Sequence, residues 1–173
     1  MQHRRKSKRA TKGPQQTGSI EDAKNAALRL LRYRARSERE LLARLQQKGW
    51  DADSAHQVVA RFREVGLVDD AALAEAVVQS ALADRKPHSR WEVRYKLRAL
   101  GIPDDLVERA LAVWTDEIER AMAERYLRRR LPSTPPTPRD LARAARAAVQ
   151  KGFAWDAVRD ALRSCQTTPD EEL

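Results

Sequence analysis

One cysteine, Cys165, and three histidines are all that 173 residues offer toward disulfide or metal chemistry. A lone thiol cannot close an intramolecular disulfide, so nothing points to an oxidising compartment and a cytoplasmic setting is expected. His3, His56 and His88 have no cysteine or second histidine at a ligand spacing, and no glycine loop cradles a phosphate, which argues against a metal or nucleotide cofactor. A run of about eighteen apolar residues is also missing, and the basic start is not followed by an apolar stretch of signal-peptide length. A protein neither exported nor membrane-spanning is expected. The acidic pairs Asp69/Asp70 and Asp104/Asp105 fall at helix starts, where capping and the helix dipole account for them. No catalytic residue is expected.

Aromatics are few as well, nine in all, and the 42% hydrophobic content leans on alanine, leucine and valine. Such a chain builds thin layers between helices more readily than one thick core. Strand-like alternation is absent, and helical spacing of apolar residues runs through most of the sequence.

What the chain does have is a repeat. LLARLQQKGWDADSAHQVVARF, VRYKLRALGIPDDLVERALAVW and AAVQKGFAWDAVRDALRSC are versions of one another, anchored by Gly49, Gly101 and Gly152 at spacings of 52 and 51 residues. A period this long with helical patterning predicts stacked helical repeats. Trp50, Ile102 and Phe153 follow the glycines directly, and Phe62, Trp114 and Cys165 lie thirteen residues after them, so these are read as core positions pinning each helix pair. The expected fold is all-α, with three tandem three-helix repeats forming an elongated, curved array.

Its parts divide as follows. Residues 1–18 are a basic tail, too polar to offset ordering entropy and expected to be disordered. Repeats then cover 19–68, 69–114 and 115–165, the last carrying a Pro-rich insertion at 132–138, and 166–173 should fray. Ser19 with Asp22 predicts a capped helix to about Ala35, Ser37 with Glu40 a second ending at Gly49, and a third runs from about Asp53 to Val65. The middle repeat is expected to place helices at about 70–84, from the Ser89 cap to Gly101, and from Pro103 as first helical residue. Helices from Thr115 to Leu131, 138–151 and 154–165 complete the last.

Net charge is +9, and Arg4, Arg5, Lys6, Lys8, Arg9 and Lys12 of the acid-free tail supply six of it, a candidate nucleic-acid contact. In the middle repeat, Arg90, Arg94 and Arg98 are spaced i, i+4, i+8 on one helical face with Lys96 beside it, where the first copy has Glu38, Leu42 and Gln46. A row of guanidiniums needs an acidic partner. Arg125, Arg128, Arg129 and Arg130, with Tyr126 interleaved, form a second cluster at a helix end; the dipole alone accounts for cations there, as it does for Arg29, Arg32, Arg34 and Arg36. Both clusters are candidate partner surfaces, for protein or for DNA.

The ordered combination Leu30, Leu31, Ser37, Glu40, Leu41, Lys48, Gly49, then Val65 through Asp70, Ala74, and later Leu97, Gly101 and Ile102 resembles the RecX family of bacterial recombination regulators across about residues 20–165. Two positions depart from the family pattern: Leu73, where Tyr or Phe is usual, and Leu100, where Lys or Arg commonly precedes the glycine. The last repeat matches loosely, through Gln150, Lys151, Gly152 and Phe153. The resemblance implies a partner, the RecA recombinase filament on single-stranded DNA, and a role limiting filament growth, ATP hydrolysis, strand exchange and SOS induction. The alternatives are a sequence-nonspecific DNA-binding protein using the tail and the helix pairs, and a helical adaptor for another assembly. The lack of a long apolar heptad seam favours a monomer.

Overall fold

The computed structural model describes residues 18–132 and 135–166; the tail lysines and arginines lie outside them, as do residues 133–134 and 167–173. Nine helices and no strand occur among the described residues: α1 Ile20–Tyr33, α2 Glu38–Gln47, α3 Ala52–Glu64, α4 Asp70–Ala83, α5 Arg90–Ala99, α6 Asp104–Leu111, α7 Asp116–Arg128, α8 Pro138–Gln150 and α9 Trp155–Gln166. Each successive triplet packs all three of its helices against one another.

Side-chain caps set most of the starts. Ser19 and Asp22 form a reciprocal capping box, as do Thr137 and Asp140, and Ser37, Ser89 and Thr115 each accept from the amide three residues on. Two starts differ from expectation. Helix α3 starts at Ala52, ahead of the expected Asp53, because the Asp51 carboxylate caps it by accepting the Ser54 amide at 2.8 Å. Pro103 stands at the N-cap of α6, in extended backbone, and Asp104 is the first helical residue. Helix α1 stops at Tyr33, ahead of the expected Ala35, with the chain extended from Arg34.

The repeated glycine ends α2, α5 and α8 in one way. Gly49, Gly101 and Gly152 take φ of 95°, 83° and 92°, a region closed to most side chains. The next amide then folds back: Trp50 to the Leu45 carbonyl, Ile102 to Leu97 and Phe153 to Ala148, each at 3.2 Å. This is the Schellman arrangement, whose usual hydrophobic contact is supplied by Trp50, Ile102 and Phe153, all buried.

The chain divides into two compact units at Val68 and Asp69. In the first, Ala23, Ala27, Leu41, Leu45, Trp50, Val58 and Phe62 make the core. In the second, α4 to α9 share a single core running from Ala74 to Ala161, with Leu97, Leu111, Trp114, Leu127 and Val158 fully enclosed. Cys165 packs against this core half-buried, and burial pushes its thiol pKa up against the opposing Arg128 charge.

Candidate partner-binding surfaces

The α5 arginine stripe meets acids within its own repeat. Helix α6 carries Asp104 and Glu108 one turn apart, and the α5–α6 packing sets them opposite Arg98 and Arg94. Arg94 donates to Glu108 through Nε at 2.8 Å and Nη2 at 2.9 Å, and Arg98 Nε donates to Asp104 at 2.7 Å. Arg90 stands half-buried with its Nε enclosed and without a hydrogen-bond partner among the described residues. The stripe therefore helps hold α6 on α5, and Lys96 is the exposed cation beside it.

The hydrogen bond from Arg94 holds Glu108 below, and raises Arg94 above, the ordinary ranges. A carboxyl with a depressed folded pKa contributes stability above its unfolded pKa and loses it as pH falls through the folded one. Arg94→Ala is thus expected to lower the unfolding free energy by about 0.2 to 1 kcal/mol at neutral pH, the range for solvent-screened pairs. In strong acid the difference from the parent should vanish, which paired urea titrations at the two pH values will read.

In the first unit, Arg34 and Arg36 both clasp Glu40, at 2.6 Å for Arg34, and Arg36 Nε also caps the Leu30 carbonyl at 3.3 Å. Arg36 thereby finishes α1, whereas Arg34 ties the segment after α1 to α2 through Glu40. The α7 cluster divides its work. Arg125 Nη2 donates to the carbonyls of Asp84 and Arg85 at 3.0 and 2.9 Å, clamping the segment after α4, and Arg128 pairs with Glu124 on its own helix at 2.7 Å. Arg130 lies over the Tyr126 ring, 4.6 Å from its centre. Arg129 is exposed.

Arg129 and Arg130 open onto a groove of about 470 Å³ completed by Lys86, Pro87, His88, Tyr126 and Lys151. Two acids bonded to its lining residues are already engaged: His88 lies 2.9 Å from Asp84 and 3.1 Å from Glu92, and Lys151 Nζ donates to Glu92 at 2.6 Å. Burial would raise Glu92, yet the Lys151 and His88 hydrogen bonds outweigh it and hold the carboxyl below its ordinary value; the His88 hydrogen bond does the same for Asp84. Ser89, fully buried, donates its hydroxyl to the Lys151 carbonyl at 2.9 Å while capping α5, so the groove's far wall is fixed to α5.

Two features escaped the sequence reading. Trp91 and Tyr95, one turn apart on α5, stack with ring centres 5.5 Å apart and planes 15° from parallel, and stay 55% and 64% exposed. The repeat could have flagged them, since the same positions are Arg39 and Ala43 in the first copy and Ala142 and Arg146 in the third, all exposed. Glu119 is the opposite case, an acid 6% exposed at the fourth residue of α7, where α1 has Ala23 and α4 has Leu73.

Comparison with known proteins places these units. Residues 23–62 match the model of the RecX first three-helix domain, and residues 69–111 that of the RecX second three-helix domain. Regulatory protein RecX of Chlorobaculum tepidum is 34% identical over 147 residues, covering 84% of this chain and 89% of its own. Its counterpart from Streptomyces coelicolor is 34% identical over 162 residues, covering 90% and 86%. The crystal structure of RecX from Lactobacillus salivarius shares the fold at a TM-score of 0.72 and 22% identity, over 84% of this chain and 95% of that one. With both domains matched in order and a relative this similar aligned over nearly its whole length, the chain belongs to the RecX family.

Proposed function

We propose that this protein is a non-enzymatic negative modulator of the RecA recombinase, binding the RecA filament on single-stranded DNA and limiting its growth, ATP hydrolysis and strand exchange. The observation that carries the reading is family membership across both three-helix domains, with relatives named as regulatory proteins. The exposed cations Lys96, Arg128, Arg129 and Arg130 are suited to an acidic filament surface or to DNA phosphates. Arg90, Arg94, Arg98 and Arg125 are further candidate contacts, and at Arg94 and Arg98 a partner's acids would compete with Glu108 and Asp104. Arg4, Arg5, Lys6, Lys8, Arg9 and Lys12 add a sequence-independent hold on nucleic acid. The protein acts in the cytoplasm, as a monomer.

The test is RecA's ATP hydrolysis on single-stranded DNA, titrated with this protein at fixed physiological salt. Inhibition is expected at substoichiometric amounts and should persist when DNA is in excess. Relief in proportion to added DNA would move the assignment to a sequence-nonspecific DNA-binding protein that competes for the lattice.

A further inference from the structure

The basic groove and the exposed aromatic pair of the second unit both border the α8–α9 turn. Lys151, the first residue of that turn, lines the groove, and the next, Gly152, lies under the indole of Trp91: a Cβ added at Gly152 would stand 2.7 Å from Trp91 Cε3. A second hollow of about 290 Å³ lies at the same turn, lined by Trp91, Val149, Gln150, Gly152 and Phe153. A substituted residue at 152 would push Trp91 off its seat, so the glycine that ends α8 also lets the Trp91 side chain close against the turn.

Charge and shape together select the occupant. The groove presents Lys86, Arg129 and Arg130, with Lys151 bound to Glu92 at its edge and Asp84 held by His88. It therefore suits a string of negative charges. Across the α8–α9 turn, the stacked rings of Trp91 and Tyr95 offer a flat apolar surface, with Tyr95 the more exposed. Phosphates tracked by cations beside an aromatic platform for unstacked bases is the combination that holds single-stranded nucleic acid, whose base faces are free as those of a duplex are not. An acidic peptide would use the cations but gains little from a stacked indole and phenol.

We infer that the surface around the α8–α9 turn is a direct binding site for single-stranded nucleic acid, with backbone phosphates in the groove of Lys86, Arg129 and Arg130 and a base stacked on Tyr95 and Trp91. It operates without RecA, so its failure leaves the regulator reading standing, and the converse holds too.

The experiment is fluorescence anisotropy of a labelled oligothymidylate with the full-length chain in the absence of RecA. The N-terminal tail is present in parent and variants alike, so differences between them read this face. Tyr95→Ala is expected to weaken binding about five- to hundredfold, the range for loss of one stacked base, and Tyr95→Phe to bind as the parent does. Arg129→Ala should weaken binding and make the slope of log affinity against log salt less steep by about 0.7. Tryptophan emission should be quenched by the oligonucleotide, with the quench diminished in Trp91→Phe. Parental affinity in Tyr95→Ala and Arg129→Ala proteins of unchanged melting temperature would overturn the assignment. So would equal binding of a duplex of the same length, or displacement by polyglutamate with Tyr95→Ala unaffected, which would make the groove a site for acidic protein.

Discussion

Glu119→Ala is expected to lower the unfolding free energy by about 3 kcal/mol or more, one of the largest single losses available in the second unit. The residue is an acid with 6% of its surface exposed, and three elements depend on it. Its Oε2 accepts from the indole N–H of Trp114 at 2.8 Å, just beyond α6, and from the Arg90 amide at 2.9 Å, the first of α5. Oε1 accepts from the Ala154 amide at 3.4 Å, ahead of α9. Alanine would leave the enclosed Trp114 N–H without its acceptor, free the Arg90 and Ala154 amides, and open a void beside Trp114. Glu119→Gln separates the two effects. The amide keeps one oxygen and the volume, so its loss should be roughly half as large. Chemical denaturation followed by tryptophan fluorescence measures both, and an alanine variant within about 1 kcal/mol of the parent would mean that water replaces the carboxylate.

The helix architecture could be read from the sequence because it rests on local signals. Ser19, Ser37, Ser89 and Thr137 cap where short-range rules put them, and Gly49, Gly101 and Gly152 recur at a period that only a repeated helix pair explains. Where boundaries moved, a competing local choice decided: Asp51 reached the Ser54 amide, so α3 began ahead of Asp53. Partners across helices were not legible in the same way. Nothing in the spacing of Arg94 and Arg98 says that Glu108 and Asp104 of α6 lie opposite, since that depends on how the two helices cross. The same holds for the groove, whose cations come from the segment after α4, the end of α7 and the turn after α8.

Comparison between copies is the sequence signal that reaches furthest toward function. Positions that agree, such as Trp50, Ile102 and Phe153, are buried and serve the repeat. Those that disagree carry what distinguishes the middle and last repeats: Trp91 and Tyr95 on an otherwise polar face, and Glu119 in an apolar one. A helix repeated for stability leaves its outward positions under no packing constraint, so an aromatic pair there needs a reason other than the core.

In the first unit the corresponding large effect is at Trp50, where alanine is expected to cost about 3 to 5 kcal/mol. The indole is 7% exposed, follows the α2 glycine, and joins the core of Ala23, Leu41, Leu45 and Phe62. Its far edge is covered by the chain before α1: a Cβ added at Gly18 would lie 2.6 Å from Trp50 Cη2. The two enclosed tryptophans differ in one respect that a conservative change exposes. Trp50 Nε1 has no hydrogen-bond partner among the described residues, whereas Trp114 Nε1 is bonded to Glu119. A buried donor left without an acceptor is itself costly, so Trp50→Phe removes that cost along with some packing and should lose about 1 kcal/mol or less. Trp114→Phe instead strips Glu119 of its strongest donor and should lose about 2 to 3 kcal/mol. Urea titrations of the two phenylalanine variants decide the matter: the Trp114 change must be the more damaging, and equal losses would place the value of Trp114 in its volume alone.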